Sequence, residues 1–373
     1  MTRRIVLVAT FVFFYGFVTS EPLYEYEIGL LQKTLDKNSQ DNVVISGFSI
    51  LNGLELVYRD AQGQTRQEFL DLIGKGSSST LVSQKTRALQ QLDGRNLTLK
   101  LANKAYISAK ITIKKEHTRD SRDDLIEQLN FEDSKRSTDL INGFVNFTTN
   151  GLIDKIVTQD DVNSNTNLVM VNALYFTGEF ASKFNKNKTK NLVFYPKAGV
   201  DKEVPTMYKK APFPYKSTAE ADVVHVLYKG NARLVLVVPK EKFGLDKLVK
   251  ELDSEKLKGY LNGLESRGIE LFLPKFSISF EDDVREQLQS LGLKKGFSPE
   301  ADFGGLTDQK VPIDKVNHKV VFKTDEDGTV AGASTAVVSS RSFSPVVNAD
   351  HPFLFFVVAD DEIIFSGTLR DIE

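Results

Sequence analysis

Four histidines, 50 carboxylates and no cysteine are the raw material for chemistry in this 373-residue chain. His117, His225, His318 and His351 are scattered. They lack the i, i+4 pairing that turns two imidazoles toward one zinc ion, and no thiolate exists to complete such a site. Carboxylates are abundant, yet spacing alone pairs no two of them as acid and base. No Gly-x-Ser-x-Gly elbow, phosphate loop or dinucleotide fingerprint is present, and Gly74-Lys75-Gly76 lacks the spacing those loops need. The expectation is therefore no catalytic residue, no metal and no cofactor. One segment stands apart: "DEDGTVAGASTAVVSSRSFSPVV", residues 325 to 347, begins with acids and continues as small and β-branched residues broken by Arg341 before Pro345.

The elements around that segment read as follows. With 41% hydrophobic and 26% charged residues, the chain can bury a large core, and no Pro/Gly/Ser-rich linker divides it, so residues 21 to 373 are expected to form one domain. Its net charge of -2 gives no electrostatic footprint for nucleic acid or an anionic membrane, and the basic run from Lys183 to Lys190 reads as solvated surface. Arg3 and Arg4 precede an apolar run, Ile5 to Val18, that is too short to span a bilayer and ends at Thr19 and Ser20. Residues 1 to 20 thus read as a secretory signal peptide, and the mature chain as extracellular. In that compartment Asn96, Asn146 and Asn187, each in an Asn-x-Thr motif, are glycan acceptors. Helical spacing joins Ile28, Leu31 and Leu35, then Leu51, Leu54 and Tyr58, then Leu245, Leu248 and Leu252. Strand-like runs occupy 97 to 107, 168 to 176, 234 to 238, 269 to 273, 320 to 322, 353 to 358 and 363 to 367. Helices gathered early and strands gathered late predict an α+β fold.

Five stretches, in order, resemble the serpin family: "NVVISGFSILNGLELVY" (42 to 58), "LVMVNALYFTGEFASKF" (168 to 184), "LPKFSISFEDDVREQLQSLGL" (273 to 293), "NHKVVFKTDEDGT" (317 to 329) and "ADHPFLFFVV" (349 to 358). The resemblance spans the whole mature chain. It implies three β-sheets, about nine helices and an exposed reactive loop, here about 326 to 347. It further implies a monomer that forms a covalent complex with a target protease and acts as an inhibitor, not an enzyme.

In such a protein a protease attacks the loop as substrate, and the cut loop enters the large sheet as a new strand. Alternate side chains of a strand face opposite sides of its sheet, so one set must slip into the core. Thr329, Ala331, Ala333, Thr335 and Val337 form that set. All are uncharged and small or β-branched, as are Gly332, Ser334 and Ala336 on the other face. A flexible linker would favour Gly, Ser and charge over Val337 and Val338. From Gly328 to Arg341 the extended chain would reach about 45 Å, enough to cross a domain. The resemblance makes Glu326, Asp327 and Gly328 through Thr335 the hinge. Ser46, Ser49, Asn172 and His318 become a polar cluster beneath the sheet where strands part, and Lys275 pairs with Glu326.

Counting forward from Gly328 places the scissile bond at Ser342-Phe343, whereas counting back from Pro352 places it at Arg341-Ser342. The second is preferred, because arginine fits the acidic pocket of a trypsin-like serine endopeptidase. The shortened loop leaves a papain-like cysteine protease as an alternative target; a non-inhibitory carrier, chaperone or storage protein is a separate alternative, against which the small residues throughout the hinge "GTVAGAST" speak. Three positions depart from the family pattern: Val330 replaces a glutamate, Phe180 a tryptophan and Gly47 a proline, the last expected to loosen a turn.

Overall fold

The computed structural model describes residues 21–73, 97–114, 125–328 and 344–372. Residues 1 to 20, read above as a signal peptide, Asn96, His117 and residues 329 to 343, including Val330, Arg341 and Ser342, lie outside these residues. Among the described residues are seven α-helices: α1 (Glu21–Lys37), α2 (Gly47–Tyr58), α3 (Gly63–Ile73), α4 (Ser134–Thr148), α5 (Leu245–Lys250), α6 (Ser254–Leu261) and α7 (Arg285–Ser290). The strands are β1 (Val43–Ile45), β2 (Leu97–Ser108), β3 (Ile126–Leu129), β4 (Leu168–Gly178), β5 (Lys190–Lys197), β6 (Val200–Ser217) and β7 (Ala221–Leu227). They continue with β8 (Ala232–Pro239), β9 (Glu265–Pro274), β10 (Phe276–Asp283), β11 (Lys315–Thr324), β12 (Val346–Asn348), β13 (Phe353–Ala359) and β14 (Glu362–Leu369). Each strand-like run of the sequence lies within one of these strands, and the fold is α+β.

Among the described residues, two hydrogen-bonded sheets stand where three were expected. The reason is β6. This 18-residue strand pairs with β5 near its start, with β9 through its middle and with β7 at its end, and so fuses two sheets into one of nine strands. The second sheet has five strands in the order β10-β11-β4-β2-β3. Fewer α-helices than nine are found among the described residues, alongside 3-10 turns at Lys186–Lys188 and Lys295–Phe297.

Both faces of the five-stranded sheet are covered, which explains why β4 reads as a continuous apolar run instead of alternating. Leu168, Met170, Leu174 and Phe176 point into the main core. Val169, Val171 and Ala173 point into a smaller core built with Ile141 and Val145 of α4. Helix α4 starts where the Asp133 side chain accepts the Arg136 N–H, and it buries Ser137, Thr138, Ile141 and Val145 at helical spacing. Helix α2 is capped in the same way by Ser46, whose hydroxyl accepts the Ser49 N–H, and it packs nearly all its residues under the sheet.

Candidate functional site

The centre of the five-stranded sheet holds a parallel pair between antiparallel neighbours. Strands β4 and β11 run side by side in the same direction, in register from Val169 with Lys315 to Tyr175 with Val321. Strand β4 is antiparallel to β2 on its other side, and β11 to β10. Parallel pairing is slightly weaker per residue, and a strand antiparallel to both would make this part of the sheet antiparallel throughout. The mutual register stops at Tyr175 and Val321, although β4 continues to Gly178 and β11 to Thr324. At this end the two strands part.

The chain leaving β11 turns back into that opening. Asp325 and Gly328 form an antiparallel bridge, each donating its N–H to the other's carbonyl at 3.0 and 3.1 Å, and Gly328 also bridges Glu179 just beyond β4. Phe180 N–H donates to the Asp327 carbonyl and Phe184 N–H to that of Glu326, both at 2.9 Å. Gly328 has a φ of +107°, and a Cβ there would overlap the Gly178 carbonyl oxygen and lie 2.5 Å from the Phe180 nitrogen. Only glycine fits, for conformational and for steric reasons.

Charges hold this loop base. Lys275 lies 2.8 Å from Glu326, and the Thr189 hydroxyl donates to the same carboxylate at 2.7 Å. Burial opposes ionisation of Glu326, but these two partners outweigh it and hold its carboxyl below the usual range. Asp327 lies 2.6 Å from Lys186 and 3.4 Å from Lys183. Lys183 also meets Glu179, which Lys229 contacts at 2.8 Å, and bonds from both lysines lower the Glu179 pKa. The run from Lys183 to Lys190 is thus more than solvated surface. Thr189 and Lys186 carry no signature in sequence, because their acidic partners lie far along the chain; Lys183 has one local partner, Glu179 four residues before it, and one distant, Asp327.

Phe180 is fully buried, stacked on Tyr228 at 4.9 Å and edge-on to Phe184 at 5.7 Å. Aromatic packing beside the opening is therefore kept without a tryptophan.

Beneath the sheet, the register sets a polar row in the apolar face. Asn103 of β2 pairs with Asn172 of β4, which pairs with His318 of β11, and antiparallel or parallel partners share a face. All three point toward the start of α2. The Asn172 amide donates to the Ser49 carbonyl and hydroxyl and to Asn103 Oδ1, at 2.6, 2.7 and 2.5 Å. His318 Nε2 accepts the Ser46 N–H at 3.1 Å, so its proton sits on Nδ1 and donates to Asn172 Oδ1. The imidazole is fully buried, and burial lowers its pKa to about 3, so it stays neutral. Ser46, Ser49, Asn172 and His318 are brought together. Asn103 joins them, detectable as the one inward asparagine in the alternation Leu97, Leu99, Leu101, Asn103, Ala105, Ile107.

Gly47 does not loosen a turn. It begins α2, and a Cβ there would fall 2.5 to 2.7 Å from the carboxylate of Glu27, which accepts the N–H groups of Gly47 and Phe48. Proline would lack one of those donors and fill the carboxylate's place. Glu27 is buried, and burial raises its pKa to about 8.

No group of three or more metal-ligating residues is found among the described residues, and no described helix is long and apolar enough to cross a membrane. Asn146 lies in α4 and Asn187 on the turn Lys186–Lys188.

A split parallel pair, a loop base already bridging its two strands and a polar row beneath the split make the comparison with known proteins specific. A profile of the Serpin (serine protease inhibitor) family matches residues 25–372. The chain is 30% identical to Iripin-2 of Ixodes ricinus over 361 residues, covering 92% of this chain and 91% of that protein. It is 29% identical to antichymotrypsin-2 of Bombyx mori, with 91% and 95% covered. Human antithrombin-III is 30% identical, with 90% of this chain and 77% of that protein covered. Among solved structures, Serpin48 of Tenebrio molitor superposes with a TM-score of 0.85 at 25% identity, covering 96% of this chain and 100% of that one. Uncleaved ovalbumin shares the fold at a TM-score of 0.86 and 23% identity, with 94% and 99% covered. The match over nearly the whole chain establishes that this protein belongs to the serpin family of serine protease inhibitors.

Proposed function

We propose that the protein is a secreted suicide-substrate inhibitor that traps a trypsin-like serine endopeptidase at Arg341-Ser342. The observation that carries this reading is Gly328 seated between the ends of β11 and β4. Serpin loop insertion is an established instance of strand addition, and the register here gives it a particular form. Continuing from the Gly328 bridges, Thr329 falls beside Thr324 and Gly178, Ala331 beside Phe322 and Phe176, and Ala333 beside Val320 and Leu174. Thr335 falls beside His318 and Asn172. The two ladders agree, since Gly332 falls beside Val321 and Tyr175, which are already paired with each other. The small set Thr329 to Val337 then enters the main core, while Val330 faces the other side at little cost. At the polar row the strands can exchange one hydrogen-bond partner for another, with Thr335 supplying a hydroxyl.

The protease's serine attacks the Arg341 carbonyl, the ester forms, and the Ser342 amine leaves with the C-terminal segment. About ten new ladder hydrogen bonds at ~1 kcal/mol each yield on the order of 10 kcal/mol, comparable to a domain's stability. That pull can distort the oxyanion hole of the attached enzyme before water completes hydrolysis. The catalytic machinery belongs to the target, and this chain supplies the bait and the strain.

The test is incubation with a panel of trypsin-like and papain-like proteases, followed by a denaturing gel and the mass of the released C-terminal peptide. A complex stable on the gel, with a peptide beginning at Ser342, is expected. A peptide beginning at Phe343 moves the bond. A thioester-linked complex moves the target class. Clean cleavage by every enzyme without complex would favour a non-inhibitory role.

A further inference from the structure

The acceptor asparagines differ in their surroundings. Asn146 is half-buried in α4, and its carbonyl accepts the Gly151 N–H. Asn187 is exposed on the turn Lys186–Lys188, whose shape is fixed by the Asn185 side chain accepting the Asn187 N–H at 2.9 Å. The same turn and its capping residue hold two of the three acids of the loop base: Lys186 pairs with Asp327, and the Thr189 hydroxyl donates to Glu326. Thr189 is also the third residue of the motif Asn187-Lys188-Thr189.

We propose that Asn187 carries an N-linked oligosaccharide, and that the sugar steadies the turn that holds the loop base. This rests on the export reading above. In the transfer, the Asn187 amide nitrogen bonds to the anomeric carbon of a lipid pyrophosphate-linked oligosaccharide. The lipid pyrophosphate leaves, and the amide gives up one proton. Transfer precedes folding, so the folded protein must accommodate the product. An exposed residue on a fixed turn does this without loss of packing, whereas one half-buried in α4 does not. The sugar then stands beside the Lys186–Asp327 pair, whose lysine side chain is 64% exposed. Displacing water and salt from that side strengthens the pair, since its attraction scales inversely with the local dielectric and is weakened by screening.

The closing experiment uses the full chain expressed in a secreting eukaryotic cell. Treatment with peptide N-glycosidase in heavy-oxygen water marks each occupied asparagine by conversion to aspartate. Amide hydrogen exchange is then followed on the peptide containing Phe180 and Phe184, whose N–H groups bond to the loop base. Asn187 should be marked. Asn187→Gln should speed exchange at those amides about two- to fivefold, the span of one surface ion pair. Asn146→Gln should not change it, and Thr189→Ser, which keeps both the motif and the hydroxyl, should match the parent. Secreted protein with an unmarked Asn187, or unchanged exchange in Asn187→Gln, overturns the proposal. Retention inside the cell with residues 1 to 20 still attached overturns the export reading and the proposal with it, and the intact N-terminus identifies that case.

Discussion

Gly328→Ala strikes the point at which the loop base enters the sheet. The added methyl would overlap the Gly178 carbonyl oxygen and crowd the Phe180 nitrogen, and both are backbone atoms of a paired strand end that cannot swing aside. An L-residue at a φ of +107° costs about 1–3 kcal/mol. Giving up two of the bonds that seat the segment adds about 1 kcal/mol each. The seated base is thus disfavoured by about 3–5 kcal/mol. If half of that is felt while the loop enters, insertion slows on the order of tenfold to a hundredfold. Deacylation of the bound protease does not involve Gly328 and keeps its rate, so the balance tips toward release. The assay titrates a fixed amount of trypsin with the variant and counts inhibitor molecules consumed per enzyme silenced, with a denaturing gel for the complex. Many molecules per enzyme and mostly cleaved product are expected. Gly199→Ala is the control: its φ is +76°, but nothing lies within 4 Å of the new methyl, so it should lose stability and keep full inhibition. Unchanged titration by Gly328→Ala would refute the idea that the seated base starts insertion.

Glu27 should make stability depend on pH. Its carboxyl is pushed by burial from its usual 4.5 to about 8, so the folded state keeps the proton longer than the unfolded chain; the contribution is whole below about pH 4.5 and is lost as pH rises through 8. The Glu27 contribution to melting temperature should fall between about pH 4.5 and 8 and level off above that, and Glu27→Gln should flatten the fall; equal slopes in both proteins over that window would contradict this. His318→Ala leaves the Ser46 N–H and the side-chain oxygen Oδ1 of Asn172 without their partner in a buried site, for a loss of about 2–4 kcal/mol in denaturant titration. Thr329→Arg puts a charge where the register sends a side chain into the core, and should yield a cleaved substrate where the parent yields a complex. Retained complex formation would show that the charge is not buried.

Helices and strands were legible because each covers its own apolar face, and the period of that face survives in sequence. Strand β4 is instructive: both its faces are buried, so alternation disappears, but the nine-residue run from Leu168 to Phe176, apolar except at Asn172, still marks it. The polar row was only partly legible. Asn172 and His318 could be placed through the family resemblance, yet their meeting is a matter of register between strands more than a hundred residues apart, and Asn103 shows only as a break in an apolar alternation. The loop base was legible on one side. Glu326 and Lys275 follow the family pattern, whereas Thr189, Lys183 and Lys186 are ordinary surface residue types whose bonds to Glu326 and Asp327 are set by where the turn after β4 meets the end of β11. Gly47 illustrates a different limit: its reason is Glu27, a residue on another helix, and a glycine by itself does not say whether it supplies freedom or space.

The central claim is that β4 and β11, which pair with each other in the intact molecule and part only beyond Tyr175 and Val321, separate to take the cut loop between them, and that the molecule gains stability when they do. The most direct measurement is the melting temperature of the protein before and after cleavage in the loop by a protease that it does not trap. A gain on the order of 10 kcal/mol predicts a rise of roughly 10–20 °C for a chain of this size. The amides of β4 and β11 near Tyr175 and Val321 should exchange more slowly after the cut. An unchanged melting temperature, with those amides exchanging as before, would contradict the account.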